Sequence, residues 1–392
     1  MSAANESHHS SGPRKDHKSA VCLIPPRWLW DEVQQVRCFN DPAFVRWPPH
    51  INLLYPFWED SGDNFSAAAE RIAGALSGLR PFEVVLSDFQ HFQHSRSCTA
   101  WVGPGEGRDG VLRLQEALRR EFPLCDDLSV DRTRGITSFA PHLSLGRWRS
   151  AGDVRTAVGA LRGTMAPVKF RVEEVAVISR VGFETPFVVR YAVGLGGAGP
   201  AGPVSRVDVP YVPSLRMGQA YLGSVGRSRF GVGALSGGIW NFAYGANVNR
   251  HKLEAVRGIK PLRSMPAVLK GYRLAFNHRG AMGNVVPLLE GEGPMGMDGV
   301  HGVLHCLNPA DFATLTNMEN AYMPQEVDVQ PYDDSRDPVR AVVFVSPLQQ
   351  TIREGLPPPE RYVRLILEGS TQWSLDSSFK VPGPGILADD QG

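Results

Sequence analysis

The sequence predicts an α+β protein with two folded domains, and three observations lead to this prediction. Its 392 residues exceed what one ordinary hydrophobic core contains. A five-residue pattern occurs twice in the first half of the chain, at 49–53 and at 141–145. Glycine, alanine and proline dominate residues 194–203, a composition typical of a linker between domains. We therefore expect a duplicated N-terminal domain and a separate C-terminal domain.

Composition restricts the class of protein. Hydrophobic residues make up 42% and charged residues 21% of the chain, as in ordinary globular proteins, and the net charge is +1. A broad basic surface for duplex nucleic acid is therefore not indicated. The five cysteines are irregularly spaced and include no C-x-x-C pair. This pattern argues against a disulfide framework or a zinc site and favours a reducing compartment.

The chain carries no sequence signal for a membrane. No apolar run reaches the length of a membrane span. Residues 1–19 are polar, lack the apolar core of a signal peptide and are predicted to be a disordered tail. We therefore expect a cytoplasmic protein, or a nuclear one, with no membrane partner.

The N-terminal half combines strand and helix patterns. A short apolar run predicts a strand at 20–24. Apolar residues at helical spacing predict four helices, at 28–37, 66–79, 111–122 and 151–161. Alternating patterns predict further strands, at 82–92, 99–102, 170–179 and 187–194. Each copy of the repeated pattern is thus followed by a helix and further strands, which indicates a duplicated architecture.

The repeated pattern places polar side chains on one face of a strand. Each copy reads proline, histidine, branched apolar residue, small polar residue and leucine. Successive side chains point to opposite faces of a strand, so His50 and Asn52 share the polar face of the first copy. His142 and Ser144 share that face in the second copy, while the apolar residues of both copies enter the core.

Two such strands across a cleft can carry out acid–base chemistry. Histidine titrates near neutral pH, so His50 and His142 can act as a general base and a general acid. Asn52 and Ser144 can donate hydrogen bonds to an oxyanion such as a phosphate. The alternative is that both histidines are half-buried strand residues satisfied by backbone groups. The matched pair favours the catalytic interpretation.

The C-terminal half shows a second set of elements. Strands are predicted at 239–244, 267–276, 299–306, 325–332 and 339–345, and helices at 248–256, 309–315 and 358–367. This set predicts a small α+β or barrel-like domain, followed by a frayed tail at 371–392. His301 and His305 lie on one of the predicted strands, and we interpret both as structural.

A turn and a carboxylate form a second candidate site. The turn consists of Tyr244, Gly245, Ala246 and Asn247, between a predicted strand and a predicted helix. A small-residue turn at this place exposes backbone N–H groups that can cradle a carboxylate or phosphate. Glu319 follows a predicted helix and can act as a general base opposite the turn. The alternative is that Glu319 is an exposed residue at the end of a helix.

The repeated pattern resembles the signature of a known superfamily. Residues 49–57 (PHINLLYPF) and 141–146 (PHLSLG) resemble the two H-x-(S/T)-x strands of the 2H phosphoesterase superfamily. This superfamily includes 2′-5′ RNA ligase-like proteins and cyclic nucleotide phosphodiesterases. The resemblance implies a bilobal, duplicated α+β fold over residues 20–195. It also implies that the enzyme opens a 2′,3′-cyclic phosphate or cleaves a 2′-5′ linkage without a metal.

The resemblance also implies roles for individual residues. One histidine of the pair His50 and His142 activates the nucleophile, and the other protonates the leaving oxygen. Ser144 binds the phosphate. Asn52 stands where the family usually has Ser or Thr, and its amide can still donate to a phosphate.

The second candidate site resembles another superfamily. The turn at 244–247, the strand at 300–304 (VHGVL) and the Glu after a short helix resemble the hallmarks of the γ-glutamylcyclotransferase-like superfamily. The resemblance covers residues 238–350 and implies a small β-barrel with flanking helices. It implies that Tyr244, Gly245, Ala246 and Asn247 bind a γ-glutamyl group, and that Glu319 moves a proton as 5-oxoproline closes. Two positions depart from the pattern, because Ala246 replaces Ser and Asn320 replaces Gly.

Together the two resemblances predict a bifunctional, metal-independent enzyme without a cofactor. The predicted parts are a tail at 1–19, a 2H phosphoesterase-like domain at 20–195, a linker at 196–237, a γ-glutamylcyclotransferase-like domain at 238–370 and a tail at 371–392. The expected partners are RNA ends or cyclic nucleotides for the first domain and a γ-glutamyl small molecule or peptide for the second.

Two alternatives remain open at this point. The C-terminal domain can be a non-catalytic binding module of an RNA-processing phosphoesterase, which the residues Ala246 and Asn320 motivate. The whole chain can also be a non-catalytic RNA- or nucleotide-binding protein, which Asn52 motivates.

Overall fold

The structure of the chain is a computed structural model that describes residues 13–197, 201–213, 215–216, 238–288, 299–347, 350–352 and 357–376. Its contacts divide the chain into two compact units. The first unit comprises Met1–Pro26, Pro49–Phe183 and Phe187–Val209. The second comprises Arg27–Pro48, Glu184–Pro186 and Pro210–Gly392. Most of each predicted tail, at 1–12 and 377–392, lies outside the described residues.

The described residues form nineteen strands and six α-helices. The strands are β1 (Lys15–Asp16), β2 (Ser19–Leu23), β3 (Ile51–Leu54), β4 (Phe57–Trp58), β5 (Phe82–Gln93), β6 (Cys98–Glu106), β7 (Leu143–Trp148), β8 (Val168–Val172), β9 (Glu174–Ser179), β10 (Val188–Gly194), β11 (Val204–Pro210), β12 (Leu215–Arg216), β13 (Ile239–Ala243), β14 (Arg263–Leu269), β15 (Tyr272–His278), β16 (Met282–Pro287), β17 (Val300–Leu307), β18 (Met323–Pro331) and β19 (Val339–Val345). The helices are α1 (Trp30–Asn40), α2 (Asn64–Ala75), α3 (Arg108–Glu121), α4 (Ala151–Thr164), α5 (Pro309–Met318) and α6 (Glu360–Gln372). A π-helical segment occupies His251–Val256. No helix among these described residues is both long and apolar enough to cross a membrane.

The first unit is built on one sheet of nine strands. Their order is β11-β10-β9-β2-β3-β7-β6-β5-β8, so β3 and β7, which carry the repeated pattern, are neighbours in the middle. The helices that follow the two copies pack on different halves of this sheet, α2 against β10 and α4 against β5, β6 and β7. The duplication predicted from the repeat is therefore present in the sheet.

Burial along β3 and β7 follows the predicted alternation. Ile51 and Leu53 of β3 are fully buried, as are Leu143 and Leu145 of β7. Burial of a side chain of this size contributes about 1.5–3 kcal/mol to stability. The polar residues between them are only half-buried. The core therefore holds one face of both strands and leaves the other face accessible.

Part of the predicted linker is a strand. β11 lies within 196–237 and forms the edge of the sheet beside β10. The N–H of Gly194 donates to the carbonyl of Pro203 at 2.8 Å, and Arg190 forms an ion pair with Asp208 at 3.2 Å. The local composition does not reveal this strand, because its partner is brought to it only by the fold. Residues 217–237 of the predicted linker lie outside the described residues.

The second unit contains a closed barrel with flanking helices. Its sheet has the order β12-β18-β14-β17-β13-β19, and β18 also pairs with β19, which closes five strands into the barrel. The predicted strand at 267–276 is two strands, β14 and β15, separated by a turn at Gly271. The φ of Gly271 is +76°, in the left-handed region that glycine adopts without strain. The predicted α+β class, with a barrel in the C-terminal half, is confirmed.

A glycine allows two barrel strands to approach closely. A Cβ atom at Gly302 of β17 would collide with the carbonyl oxygen of Ala243 on β13. Ala243 pairs with Val303 in the antiparallel ladder between these strands. Gly302, the glycine of the VHGVL stretch, therefore allows β17 to pack closely against β13.

Residues 27–48 lie in the range predicted for the first domain but belong to the second unit. Arg27 forms an ion pair with Glu326 of β18, and only 2% of each side chain is exposed. In the same unit, Gln34 of α1 donates to the hydroxyl of Tyr211 at 2.8 Å, and that hydroxyl donates to the carbonyl of Phe44 at 2.7 Å. Polar contacts over long sequence distances therefore join this segment to the second unit.

Candidate functional sites

The pairing of β3 with β7 brings both predicted histidines to one face of the first unit's sheet. The strands are antiparallel, and Ile51 pairs with Leu143. Paired residues share a face, and these two side chains are buried in the core. The residues on either side of them therefore point to the opposite face. Those residues are the four predicted site residues of this unit: His50, Asn52, His142 and Ser144.

The register also determines which of these residues lie opposite each other. In a regular antiparallel ladder, one step from the Ile51–Leu143 pair sets His50 against Ser144 and Asn52 against His142. In such a ladder His50 and His142 are diagonal neighbours. The Cα atoms of diagonal neighbours are typically about 7–8 Å apart.

His142 has a defined tautomer and a lowered pKa. Its Nδ1 atom lies 2.8 Å from the carbonyl oxygen of Ala140, and a carbonyl only accepts, so Nδ1 carries the proton. In the neutral ring, Nε2 is then free of a proton and able to accept one. Burial lowers the pKa of His142, and the hydrogen bond to Ala140 only partly opposes that effect.

Two aromatic residues that the sequence did not indicate surround His142. The ring of Phe92 meets the imidazole edge-on at a centroid distance of 4.8 Å, and the ring of Trp101 lies at 5.8 Å. They come from β5 and β6, and Trp101 pairs with Ser144 in the β6–β7 ladder. Phe92 and Trp101 lie 50 and 41 residues before His142 in the sequence, so only the strand order brings them beside it.

The hydrogen-bonding capacity of the Asn52 side chain is not fully used. Its Oδ1 atom is buried and has no hydrogen-bond partner in the part of the chain that the structure describes. Ser144 and His50 are half-buried. The face opposite the core thus combines an imidazole pair with two small polar side chains.

The second unit contains a cavity of about 650 Å³. All five residues predicted for this half line it: Tyr244, Gly245, Ala246, Asn247 and Glu319. The turn follows β13 directly, and Glu319 is the C-terminal capping residue of α5. The barrel therefore brings together two stretches that are 72 residues apart at Asn247 and Glu319.

Glu319 is held through one of its two carboxylate oxygens. Its Oε1 atom accepts from Nδ2 of Asn247 at 3.0 Å and from Nη1 of Arg257 at 2.6 Å. No described residue donates to Oε2. The side chain of Glu319 is 14% exposed and that of Arg257 is 19% exposed. Arg257 lies just after a predicted helix, and no pattern in the sequence indicated its role.

His305 of β17 supports the turn. Its Nε2 lies 3.2 Å from the carbonyl oxygen of Asn247, and its Nδ1 lies 2.8 Å from the hydroxyl of Ser264. The carbonyl only accepts, so Nε2 carries the proton and Nδ1 accepts from Ser264. Burial lowers the pKa of His305 to about 4, so the ring is neutral at pH 7. These contacts give His305 a structural role beside the turn.

Tyr362 closes one side of the cavity over two glycines. Its hydroxyl accepts from the N–H of Gly283 at 3.1 Å. A Cβ atom would lie 2.5 Å from this hydroxyl at Gly245 and 2.7 Å from it at Gly283. Burial raises the pKa of Tyr362 to about 12, so the phenol keeps its proton at neutral pH. Residues this small are therefore required at both positions for the phenol to lie where it does.

Two further tyrosines line the cavity, and their hydroxyls donate to backbone carbonyls. Tyr244 donates to the carbonyl of Phe344, and Tyr322 donates to the carbonyl of Gly283 at 3.1 Å. Burial raises the pKa of both. The remaining charged residues of the lining are Lys252, Arg361, Arg364 and Glu368. The cavity therefore combines a carboxylate, neutral phenols and a mainly cationic rim.

Comparisons with known proteins match the two halves of the chain to two families. Residues 25–183 match the model of the 2′-5′ RNA ligase superfamily, and residues 241–364 match the model described as gamma-glutamyl cyclotransferase, AIG2-like. Both resemblances expected from the motifs are confirmed. No curated protein matches the chain at a significant level.

Solved structures similar to the chain also fall into two groups. Escherichia coli LigT complexed with 3′-AMP is 18% identical, with 51% of this chain and 97% of LigT covered and a TM-score of 0.29. An uncharacterized protein from Homo sapiens is 18% identical, with 36% and 83% covered and a TM-score of 0.29. A structure named gamma-glutamyl cyclotransferase is 17% identical, with 34% and 79% covered and a TM-score of 0.28.

Proposed function

Because the chain combines a domain of the 2′-5′ RNA ligase superfamily with a domain of the gamma-glutamyl cyclotransferase, AIG2-like family, we propose that it is a bifunctional acid–base enzyme. The first unit hydrolyses 2′,3′-cyclic phosphates or 2′-5′ linkages of nucleotides or RNA ends. The second releases 5-oxoproline from a γ-glutamyl compound. Side chains supply the acid and base in both reactions, so the proposal includes no metal and no cofactor.

The pairing of Ile51 with Leu143 is the observation that supports the phosphodiesterase proposal, because His50 and His142 each stand next to a residue of this pair. In the proposed reaction, one histidine removes a proton from water as the water oxygen attacks phosphorus. The bond from phosphorus to a ribose oxygen breaks, and the other histidine protonates that oxygen. Asn52 and Ser144 donate hydrogen bonds to the non-bridging oxygens, where negative charge develops.

The environment of His142 supports its assignment as the base. The hydrogen bond between Nδ1 and the carbonyl of Ala140 leaves Nε2 as the accepting atom. Burial lowers the pKa of the ring, so the neutral form predominates near pH 7. His50 then takes the role of the acid.

The phosphodiesterase proposal is tested with the purified full chain. Wild-type protein is expected to open 2′,3′-cyclic nucleotides or to cleave 2′-5′ dinucleotides, and His50→Ala and His142→Ala are each expected to lower kcat/KM by about 10²–10⁴-fold. His94→Ala is the matched control, because this exposed ring contacts Thr99 and lies outside the proposed site. A wild-type protein that leaves all these substrates intact contradicts the proposal and favours a non-catalytic nucleotide-binding domain.

The convergence of Asn247 and Glu319 in one cavity carries the cyclotransferase proposal. In the proposed reaction, Glu319 removes a proton from the α-amine of the γ-glutamyl group. The amine nitrogen attacks the γ-carbonyl carbon, and the bond from that carbon to the leaving nitrogen breaks. Glu319 returns the proton to the leaving amine, so the products are 5-oxoproline and a free amine.

The cyclotransferase proposal is tested by measuring 5-oxoproline release from γ-glutamyl amino acids, γ-glutamyl dipeptides and γ-glutamyl amines. Glu319→Gln is expected to lower kcat at least about 100-fold, because an amide does not shuttle the proton. Asp333→Asn is the control, because this exposed carboxylate pairs with Arg336 and does not line the cavity. If wild-type protein releases no 5-oxoproline from any member of the panel, the second unit is a binding module instead.

The proposed location is the cytoplasm or the nucleus. All five cysteines are free thiols, and four of them are buried. Burial raises the pKa of Cys38, the partly exposed one, to about 12, so this thiol is poorly reactive. Free, unreactive thiols support a reducing compartment.

A further inference from the structure

We propose that Arg257 is a positioning residue for the cyclotransferase reaction, because it holds Glu319 by one carboxylate oxygen and leaves the other oxygen for proton transfer. This inference rests on the function proposed for the cavity of the second unit. It adds a residue that the sequence patterns did not indicate.

The contacts of Glu319 are asymmetric. Arg257 and Asn247 both donate to Oε1, at 2.6 Å and 3.0 Å, and no described residue donates to Oε2. A carboxylate held at one oxygen by two donors has a restricted orientation. Its second oxygen is then the atom that exchanges a proton with the substrate. The attacking amine and the leaving amine both bond to the same γ-glutamyl skeleton, so one oxygen can serve both.

The pair is partly shielded from water. Only 14% of the Glu319 side chain and 19% of the Arg257 side chain are exposed, and both residues line the cavity. Charge-assisted hydrogen bonds in such surroundings are stronger than those on the surface.

The backbone before Arg257 directs its side chain. The N–H of Arg257 donates to the carbonyl of Lys252 at 3.1 Å, five residues earlier, and this bond ends the π-helical segment His251–Val256. An α-helical bond would reach the carbonyl of residue 253 instead. The wider turn rotates Arg257 relative to the residues before it, and such π-type turns are frequent at functional sites. The N–H of Ile259 returns to the carbonyl of Leu253 at 3.1 Å and closes the segment.

The role predicts a specific kinetic effect. Arg257 orients the proton-transferring group and does not bind the substrate directly. Its loss therefore lowers kcat more than it changes KM. A residue with a purely structural role would instead lower the yield of folded protein without a selective loss of kcat.

The experiment measures 5-oxoproline release by the full chain with the best γ-glutamyl substrate of the panel. Arg257→Gln and Arg257→Ala are expected to lower kcat about tenfold or more, with KM changed less than about twofold. Arg257→Lys keeps the positive charge and is expected to retain most of kcat. Guanidinium ion added to Arg257→Ala is expected to restore part of it. Arg336→Gln is the control, because that exposed arginine pairs with Asp333 outside the cavity.

The outcomes separate this inference from the proposed function. A wild-type protein without 5-oxoproline release overturns both. An active wild type whose Arg257→Gln and Arg257→Ala variants keep their kcat overturns the inference alone, as does a loss that falls entirely on KM. Thermal unfolding of each variant shows whether it is folded. If the Gln and Ala variants do not fold, the Arg257→Lys variant tests the inference instead. A folded Lys variant with kcat as low as that of Glu319→Gln contradicts the positioning role.

Discussion

Ile51 of β3 pairs with Leu143 of β7, and this pairing relates the two copies of the repeated pattern by a local twofold axis. An antiparallel pair is symmetric, so each copy places its histidine opposite the small polar residue of the other copy. The two halves of this face nevertheless differ in chemistry. In a regular ladder the partner of His50 is Ser144, a hydroxyl, and the partner of His142 is Asn52, an amide.

The first prediction concerns the pH dependence of the phosphodiesterase reaction. His142, as the base, must be unprotonated, and burial lowers its pKa below the ordinary value of 6.5. The acidic limb of the kcat/KM profile is therefore expected below pH 6.5. Phe92→Ala exposes the ring and is expected to move this limb to higher pH. Rates from pH 4.5 to 9 measure the effect, and an acidic limb above pH 6.5 in wild-type protein contradicts the assignment of His142 as base.

The second prediction concerns the departure at Asn52. Asn52→Ala removes a donor to the phosphate and is expected to lower kcat/KM about tenfold or more. Asn52→Ser restores the residue type usual in the family and is expected to keep the wild-type rate or to exceed it. Ser144→Ala serves as the matched comparison on β7. Equal rates for Asn52→Ala and wild-type protein would show that the amide does not contact the phosphate.

The third prediction concerns stability in acid. Burial lowers the pKa of His305 to about 4, below the value of about 6.5 expected in the unfolded chain, so the unfolded state binds the proton more readily. The neutral ring of His305 therefore contributes stability that is complete above pH 6.5 and is lost as the pH falls toward 4. Between pH 7 and pH 5 the loss amounts to about 2 kcal/mol.

His305→Gln is the variant that isolates this contribution. It keeps a donor for the carbonyl of Asn247 and removes the titrating ring. Urea unfolding of wild-type protein and variant at pH 7 and pH 5 measures the free energy of unfolding. Amide hydrogen exchange follows the second unit separately. The free energy of unfolding of the wild type is expected to fall by about 2 kcal/mol more than that of the variant. The same pH dependence in both proteins would contradict the lowered pKa.

The fourth prediction concerns the close contact between Gly283 and Tyr362. A Cβ atom at Gly283 would lie 2.7 Å from the hydroxyl of Tyr362, while its next neighbour, a ring carbon of Tyr244, would lie 3.5 Å away. Gly283→Ala is therefore expected to destabilise the second unit by about 1–3 kcal/mol. In a Tyr362→Phe background, the same substitution is expected to cost less.

A double-mutant cycle measures this coupling. The readout is the protection of amide hydrogens in β15 and β16 of the full chain, since the contact lies in β16. Additive effects of Gly283→Ala and Tyr362→Phe would show that the steric conflict is relieved elsewhere.

The site of the second unit was only partly predictable from the sequence. The turn at 244–247 and Glu319 were identified from local patterns, and all of these residues line one cavity. Arg257 and Tyr362 were not identified, although Arg257 contacts Glu319 at 2.6 Å. Neither residue stands in a recognisable pattern, because their proximity to the turn depends on the packing of the π-helical segment and of α6 in three dimensions.

The α+β class, the repeated strands with one buried and one polar face, and the resemblance of each half to a known family were predictable from the sequence alone. These features depend on side-chain periodicity and local motifs, which a linear pattern records. Three features became visible only in three dimensions: β3 and β7 are neighbours, residues 27–48 belong to the second unit, and Arg257 holds Glu319. Pairing between strands and buried ion pairs join residues far apart in the chain, so their partners are determined by the energy of the whole fold rather than by adjacent residues.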